Sequence, residues 1–135
     1  MIGIVIVTHG RLAQETIVAM EHMVGPQQNL RAISIGPEDD IDRRRREVGA
    51  AVRSVDNGQG VVVATDMYGG TPCNIALTWL EPGRVEVLAG YSLPSLIKLV
   101  DVRSRVGLEQ AVAQAIEAGR KYMRAGSADL TDRQA

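Results

Sequence analysis

His9 follows an apolar run of Ile2, Gly3, Ile4, Val5, Ile6, Val7 and Thr8, at the point where a helical pattern begins. An imidazole is a competent nucleophile toward phosphorus near neutral pH, because one ring nitrogen keeps its lone pair. Which nitrogen stays free depends on what the other one bonds. A second apolar run, Val61 to Thr65, ends in Asp66, Met67, Tyr68, Gly69, Gly70, Thr71 and Pro72. An Asp66 carboxylate accepting a hydrogen bond from one ring N–H would fix the tautomer and offset the positive charge that builds on a phosphorylated imidazole. Gly69 and Gly70 would let the backbone approach a ligand closely. A helix beginning with Thr71 as its N-cap and Pro72 at its first position would aim unpaired N–H groups at the same point. The combination suits a histidine that carries a phosphoryl group.

For these loops to meet, the chain must build an open parallel sheet, in which ligands lie at the carboxyl ends of strands. Strand-like and helix-like patterns do alternate. Leu12, Ala13, Ile17, Met20, Met23 and Val24 recur at helical spacing and stop at Gly25-Pro26. A strand follows over 30–35, and Gly36-Pro37 then turns the chain into a second helix that opens with Asp39, Asp40 and Asp42 and ends at Asn57-Gly58. The β-branched run over 60–65 reads as a central strand covered on both faces. Leu77 and Leu80 are expected to face inward on the third helix, with Pro82-Gly83 as its stop. The alternation over 84–89 reads as an edge strand, a short helix is expected over 95–102, and Leu108, Val112, Ala115, Ile116, Gly119, Tyr122 and Met123 trace the apolar stripe of a last helix.

This βαβαβαβαα order predicts an α/β three-layer sandwich with right-handed crossovers. A sheet order of 2-1-3-4 would put the switch point between strands one and three, which end in His9 and Asp66. One domain over 1–125 and a flexible tail over 126–135 are expected.

The composition narrows the function. Fifteen Lys and Arg against 16 Asp and Glu leave a net charge of -1, and there is no Phe and one Trp. Neither a basic field nor stacking surface is offered to nucleic acid. Cys73 is the single cysteine, so no internal disulfide can form, and the start of the chain lacks a signal-peptide pattern. A cytoplasmic location is expected. No apolar run reaches the roughly 18 to 20 residues of a membrane span. No metal-ligand spacing surrounds His9 and no phosphate-loop lysine is present, so neither a metal nor another cofactor is called for.

Several conspicuous residues have plainer readings. His22 lies on the first helix between Glu21 and Met23 and reads as a surface residue. The run Arg43 to Arg46, beside Asp39, Asp40, Asp42 and Glu47, reads as a solvated, ion-paired face. Cys73, in the first turn of a helix, reads as a small buried residue rather than a reactive thiol.

Three stretches carry a resemblance. Ile4-Val-Ile-Val-Thr-His-Gly10, Val63-Ala-Thr-Asp-Met-Tyr-Gly-Gly-Thr-Pro-Cys-Asn74 and Ala89-Gly-Tyr-Ser-Leu-Pro94 resemble the signatures of the EIIA component of the mannose family of the bacterial phosphoenolpyruvate-dependent sugar phosphotransferase system (PTS). The likeness covers about residues 1–125. It implies a phosphotransferase in which His9 accepts a phosphoryl group from the phosphocarrier HPr and passes it to a histidine of a cognate EIIB. It also implies that Asp66 orients His9, that Gly70 and Thr71 hold the phosphoryl oxygens, and that the chain forms a homodimer. Family members often have an aromatic residue where Cys73 stands, and Asn-Leu-Pro-Met where this chain has Ser92-Leu-Pro-Ser95. An EIIA without a linked EIIB would fit a split sugar transporter or a regulatory phosphorelay.

Two readings from other classes stand beside this one. A histidine phosphatase also places His-Gly after its first strand, but it needs an Arg where Thr8 stands. A non-catalytic partner-binding module would keep the fold and leave His9 unmodified.

Overall fold

The structure is a computed structural model that describes residues 1–128. Nine elements follow in chain order: β1 (Gly3–His9), α1 (Leu12–Val24), β2 (Leu30–Ile35), α2 (Ile41–Val55), β3 (Val61–Thr65), α3 (Gly70–Leu77), β4 (Val85–Ala89), α4 (Leu93–Val102) and α5 (Leu108–Lys121). The four strands are parallel and lie in the order β2-β1-β3-β4, as expected. Val7 stands opposite Thr65 in the register of β1 on β3, so His9, the last residue of β1, and Asp66, the first after β3, lie at the same carboxyl end of the sheet.

Alternate residues of the inner strands feed two cores. Ile4 and Ile6 of β1 and Val62 and Ala64 of β3 join Met20 of α1, Leu96 and Leu99 of α4 and Ala111 and Ala115 of α5 on one face. Val5, Val7, Val61 and Val63 join Val48 and Val52 of α2 and Ile75 of α3 on the other. This is why β1 and β3 carry no polar alternation: both of their faces are covered. The outer strand β4 keeps residues of intermediate burial at Glu86, Val87 and Ala89, consistent with an edge.

Helix starts follow local chemistry. Asp40 caps α2, its carboxylate accepting from the Asp42 N–H at 3.0 Å. Just before it, the Gly36 N–H and the Arg44 guanidinium hold the Asp39 carboxyl below its ordinary range. Arg44 and Arg45 of the arginine run are ion-paired as expected: Arg44 bridges Asp39 at 2.8 Å and Glu47 at 2.6 Å, and Arg45 meets Asp42 at 2.7 Å. Ser92 caps α4, which therefore starts two residues before the expected Ser95, in a reciprocal box in which the Ser95 hydroxyl accepts from the Ser92 N–H at 2.8 Å.

The third helix departs most from expectation. It begins at Gly70 with Gly69 as its N-cap, so Thr71 is not the cap and Pro72 is the third helical residue rather than the first. It stops at Leu77, where the N–H groups of Thr78, Trp79 and Leu80 bond three residues back and tighten the chain well before Pro82. That turn delivers the Trp79 ring onto α2 at Gly49, where an added Cβ would lie 2.3 Å from the ring. Leu77 and Leu80 are consequently 37% and 44% exposed instead of inward-facing. In α5 the buried stripe is Leu108, Ala111, Val112, Ala115 and Ala118, while Ile116 is exposed and Tyr122 and Met123 lie exposed beyond its end.

One buried residue had no expected role. The Arg103 guanidinium, at the end of α4, donates to the carbonyls of Ile2, Gln28 and Asn29 and to the Gln27 side chain at 2.7 to 3.3 Å. It ties the amino ends of β1 and β2 together, and burial pushes its pKa below the ordinary arginine value. The tail expected beyond Gly126 falls mostly on residues 129–135, outside the described ones; residues 126–128 form a helical turn.

Candidate active site

His9 is the last residue of β1, and its ring leans toward the end of β3. Nδ1 lies 2.8 Å from Asp66 Oδ2, and the same oxygen accepts the His9 backbone N–H at 3.2 Å. One carboxylate oxygen thus clamps both the main chain and the ring. The His9 side chain is 50% exposed and that of Asp66 14%, so the imidazole is open while its partner is sheltered. With Nδ1 engaged, Nε2 is the nitrogen left for chemistry.

Nε2 faces the start of α3. A Cβ built on Gly70 would lie 3.4 Å from Nε2 and 3.3 Å from Cε1, and Gly70 has a φ of +81°. A side chain here would crowd the reactive edge of the ring and would also require a left-handed backbone. Gly69, with a φ of 82°, supplies no side chain to cap the helix, and among the described residues no side-chain hydrogen bond occupies the orphan N–H groups of its first turn. Those groups and the helix dipole suit an anion at Nε2. Thr71 sits in this first turn, half-buried.

The candidate residues His9, Asp66, Gly70 and Thr71 therefore lie at one place, although Thr71 is there as a helical residue and not as a cap. His22 is exposed on α1, away from the strand ends. Cys73 is fully buried. The sequence reasoning missed two supports. Thr8 Oγ1 accepts the Ala13 N–H at 2.7 Å and so caps α1 from within the strand. Tyr91, in the loop after β4, donates its N–H to the Thr65 carbonyl at 3.2 Å and shares a 2.6 Å hydrogen bond with the Thr16 hydroxyl. A threonine just before the helix was a legible signal for the first; no sequence pattern announces a bond across 75 residues.

A small cavity of about 330 Å³ adjoins Asp66, between α1 and the loop bearing Tyr91. A larger groove of about 610 Å³ lies among the end of α1, α4 and α5, lined by residues such as Ile97, Val100 and Tyr122 that supply neither nucleophile nor anion site. Among the described residues no cluster of three or more His, Cys, Asp or Glu is gathered to hold a metal, and no helix is long and apolar enough to cross a membrane.

Known proteins resemble this chain in sequence and fold. The family described as PTS system fructose IIA component (EIIA-man) matches residues 3–116. The mannose-specific EIIAB component of Escherichia coli K12 is 30% identical over 126 residues, which are 92% of this chain and 39% of that protein. The chain thus spans well under half the length of that relative. The fructose-specific EIIA component of Bacillus subtilis is 26% identical over 110 residues, 81% of this chain and 75% of that one. Among solved structures, a PTS component EIIA from Streptococcus agalactiae superposes with a TM-score of 0.86 at 23% identity, covering 95% of this chain and 99% of that one. A mannose/sorbose-specific IIA subunit from Enterococcus faecalis gives 0.80 at 25%, covering 92% and 93%. With the match running through every strand and through both loops that meet at the histidine, the chain belongs to the EIIA-man family of phosphotransferase-system components.

Proposed function

We propose that the protein is a cytoplasmic phosphohistidine carrier, a phosphotransferase that takes a phosphoryl group from an HPr-like phosphocarrier onto His9 and hands it to an EIIB, in sugar uptake or a regulatory phosphorelay. The observation that carries this reading is the 2.8 Å contact between His9 Nδ1 and Asp66 Oδ2, which leaves Nε2 free against the start of α3. The Nε2 lone pair forms the new bond to phosphorus while the donor's bond to phosphorus breaks and its electron pair stays with the donor. Asp66 accepts the Nδ1–H hydrogen bond throughout and offsets the positive charge on the ring. The Gly70 and Thr71 N–H groups, with the Thr71 hydroxyl, receive the phosphoryl oxygens. Transfer onward reverses these steps on the acceptor.

Incubation with phosphoenolpyruvate, enzyme I and HPr, followed by intact mass, tests the reading directly. The expected result is one added phosphoryl group, lost in His9→Ala and kept in His22→Ala. A folded His9→Ala protein that still gains the group overturns the assignment of His9. A wild-type chain that gains nothing points instead to a partner-binding module.

A further inference from the structure

The two carboxylate oxygens of Asp66 stand in unlike surroundings. Oδ2 takes both bonds from His9, while Oδ1 is shut off from solvent and no donor among the described residues reaches it. An ionised oxygen that is neither hydrated nor bonded is costly to maintain, so the surroundings must enforce that state. Tyr91 is placed to do so. Its N–H is fixed on Thr65, the residue before Asp66, and its hydroxyl is tied to Thr16 on α1. Tyr91, Thr16 and Asp66 line one cavity, whose other walls include Leu12, Ala19 and Leu93. Burial, reinforced by the nearby charge of Asp66, holds the Tyr91 phenol above its ordinary pKa, so it stands there as a neutral group.

We propose that Tyr91 is a positioning residue for phosphotransfer: its ring, pinned by Thr16, keeps water from Asp66 Oδ1 and leaves Oδ2 as the oxygen through which the carboxylate is satisfied. That oxygen is the one holding His9 Nδ1–H. With Oδ1 hydrated, the carboxylate would have a competing partner and could turn away from the ring, and the imidazole would lose its fixed tautomer and aim. This inference rests on the reading of His9 as an acceptor oriented by Asp66.

The test follows two signals in the full chain: the rate of transfer from phospho-HPr, and the ring nitrogen and Nδ1–H resonances of His9 in a 15N-labelled sample. Tyr91→Ala is expected to lower kcat roughly tenfold with KM for phospho-HPr little changed, as misorientation of a reacting group does. The Nδ1–H resonance should move toward that of an imidazole exchanging with water. Tyr91→Phe keeps the ring but loses the tie to Thr16, so it should slow transfer by no more than about threefold and move the His9 resonance in the same direction as Tyr91→Ala by a smaller amount. Thr16→Val frees the hydroxyl without opening the core, and should move the His9 resonance in the same direction as Tyr91→Ala by a smaller amount. It serves as the deciding variant if alanine does not fold. If neither Tyr91→Ala nor Thr16→Val alters the His9 signals, the proposal is overturned. Asp66→Asn separates this from failure of the underlying reading: if it too leaves rate and resonances unchanged, Asp66 does not orient His9 at all.

Discussion

At the scale of single residues, the site is decided by which atom faces which. Asp66 holds Nδ1, so the charge and acceptor character of its carboxylate matter more than its shape. Asp66→Asn keeps the shape and replaces an acceptor by an amide that can be satisfied in either tautomer of the ring. Phosphotransfer should slow by roughly a hundredfold, the lower range for groups that assist proton placement in a transition state, with little loss of fold. Stopped-flow transfer from phospho-HPr alongside a thermal melt checks both halves. Gly70 is the second such residue. A methyl group there would meet the Nε2 edge of the ring at 3.4 Å and would be held at a φ of +81°. Gly70→Ala should therefore cost about 1–2 kcal/mol through the left-handed backbone and also depress transfer. Urea unfolding at wild-type stability would show that the loop relaxes around the methyl group.

At the scale of elements, the start of α3 and the start of α4 behave in opposite ways. Helix α4 has a complete capping box built from Ser92 and Ser95, whereas α3 begins on glycines with its first N–H groups uncapped by any side chain. A helix start left open at a reactive nitrogen is suited to an anion, and one closed by its own serines is suited to stability. Ser92→Ala should cost about 1 kcal/mol. Thr71→Ala should change stability by under about 0.5 kcal/mol, as is usual for a residue without a structural bond to lose. If Thr71 also donates to the phosphoryl oxygens, alanine should shorten the lifetime of phospho-His9, and Thr71→Ser should preserve it. Paired thermal melts and hydrolysis of the phosphorylated protein separate the two roles. A melting-temperature loss for Thr71→Ala like that for Ser92→Ala would contradict the cap assignment at Gly69.

At the scale of the whole molecule, the sheet has two finished inner strands and two outer ones, β2 and β4, of which β4 is half-covered. The unpaired side of such a strand is a surface that proteins cover or block. A homodimer that covers this edge is expected, and sedimentation at micromolar concentration checks it. A monomer with full phosphotransfer activity would show that the edge needs no second copy. The opposite end of the sheet is held by the buried Arg103, far in sequence from the carbonyls of Ile2, Gln28 and Asn29 that it joins.

The sequence by itself determined the alternation of elements and placed His9 and Asp66 at the ends of two apolar runs, while the sheet order was an expectation taken from doubly wound folds that the structure bears out. The alternation and the placement follow from short-range signals: β-branched runs bounded by glycine and proline, and polar residues placed where those runs stop. Sequence also identified Cys73 as buried, His22 as exposed and the arginine run as an ion-paired face. The tertiary structure alone decided that Nε2 is the open nitrogen, because that depends on the side from which Asp66 approaches the ring. It placed the cap of α3 at Gly69 instead of Thr71, and it left Leu77 and Leu80 exposed where the chain turns to pack Trp79 on Gly49. It also joined Tyr91 to Thr16 and Arg103 to three carbonyls, contacts across 74 to 101 residues that no local pattern encodes. Periodicity reports which face a residue shares with its near neighbours, and only the packed chain brings distant polar groups within hydrogen-bond reach.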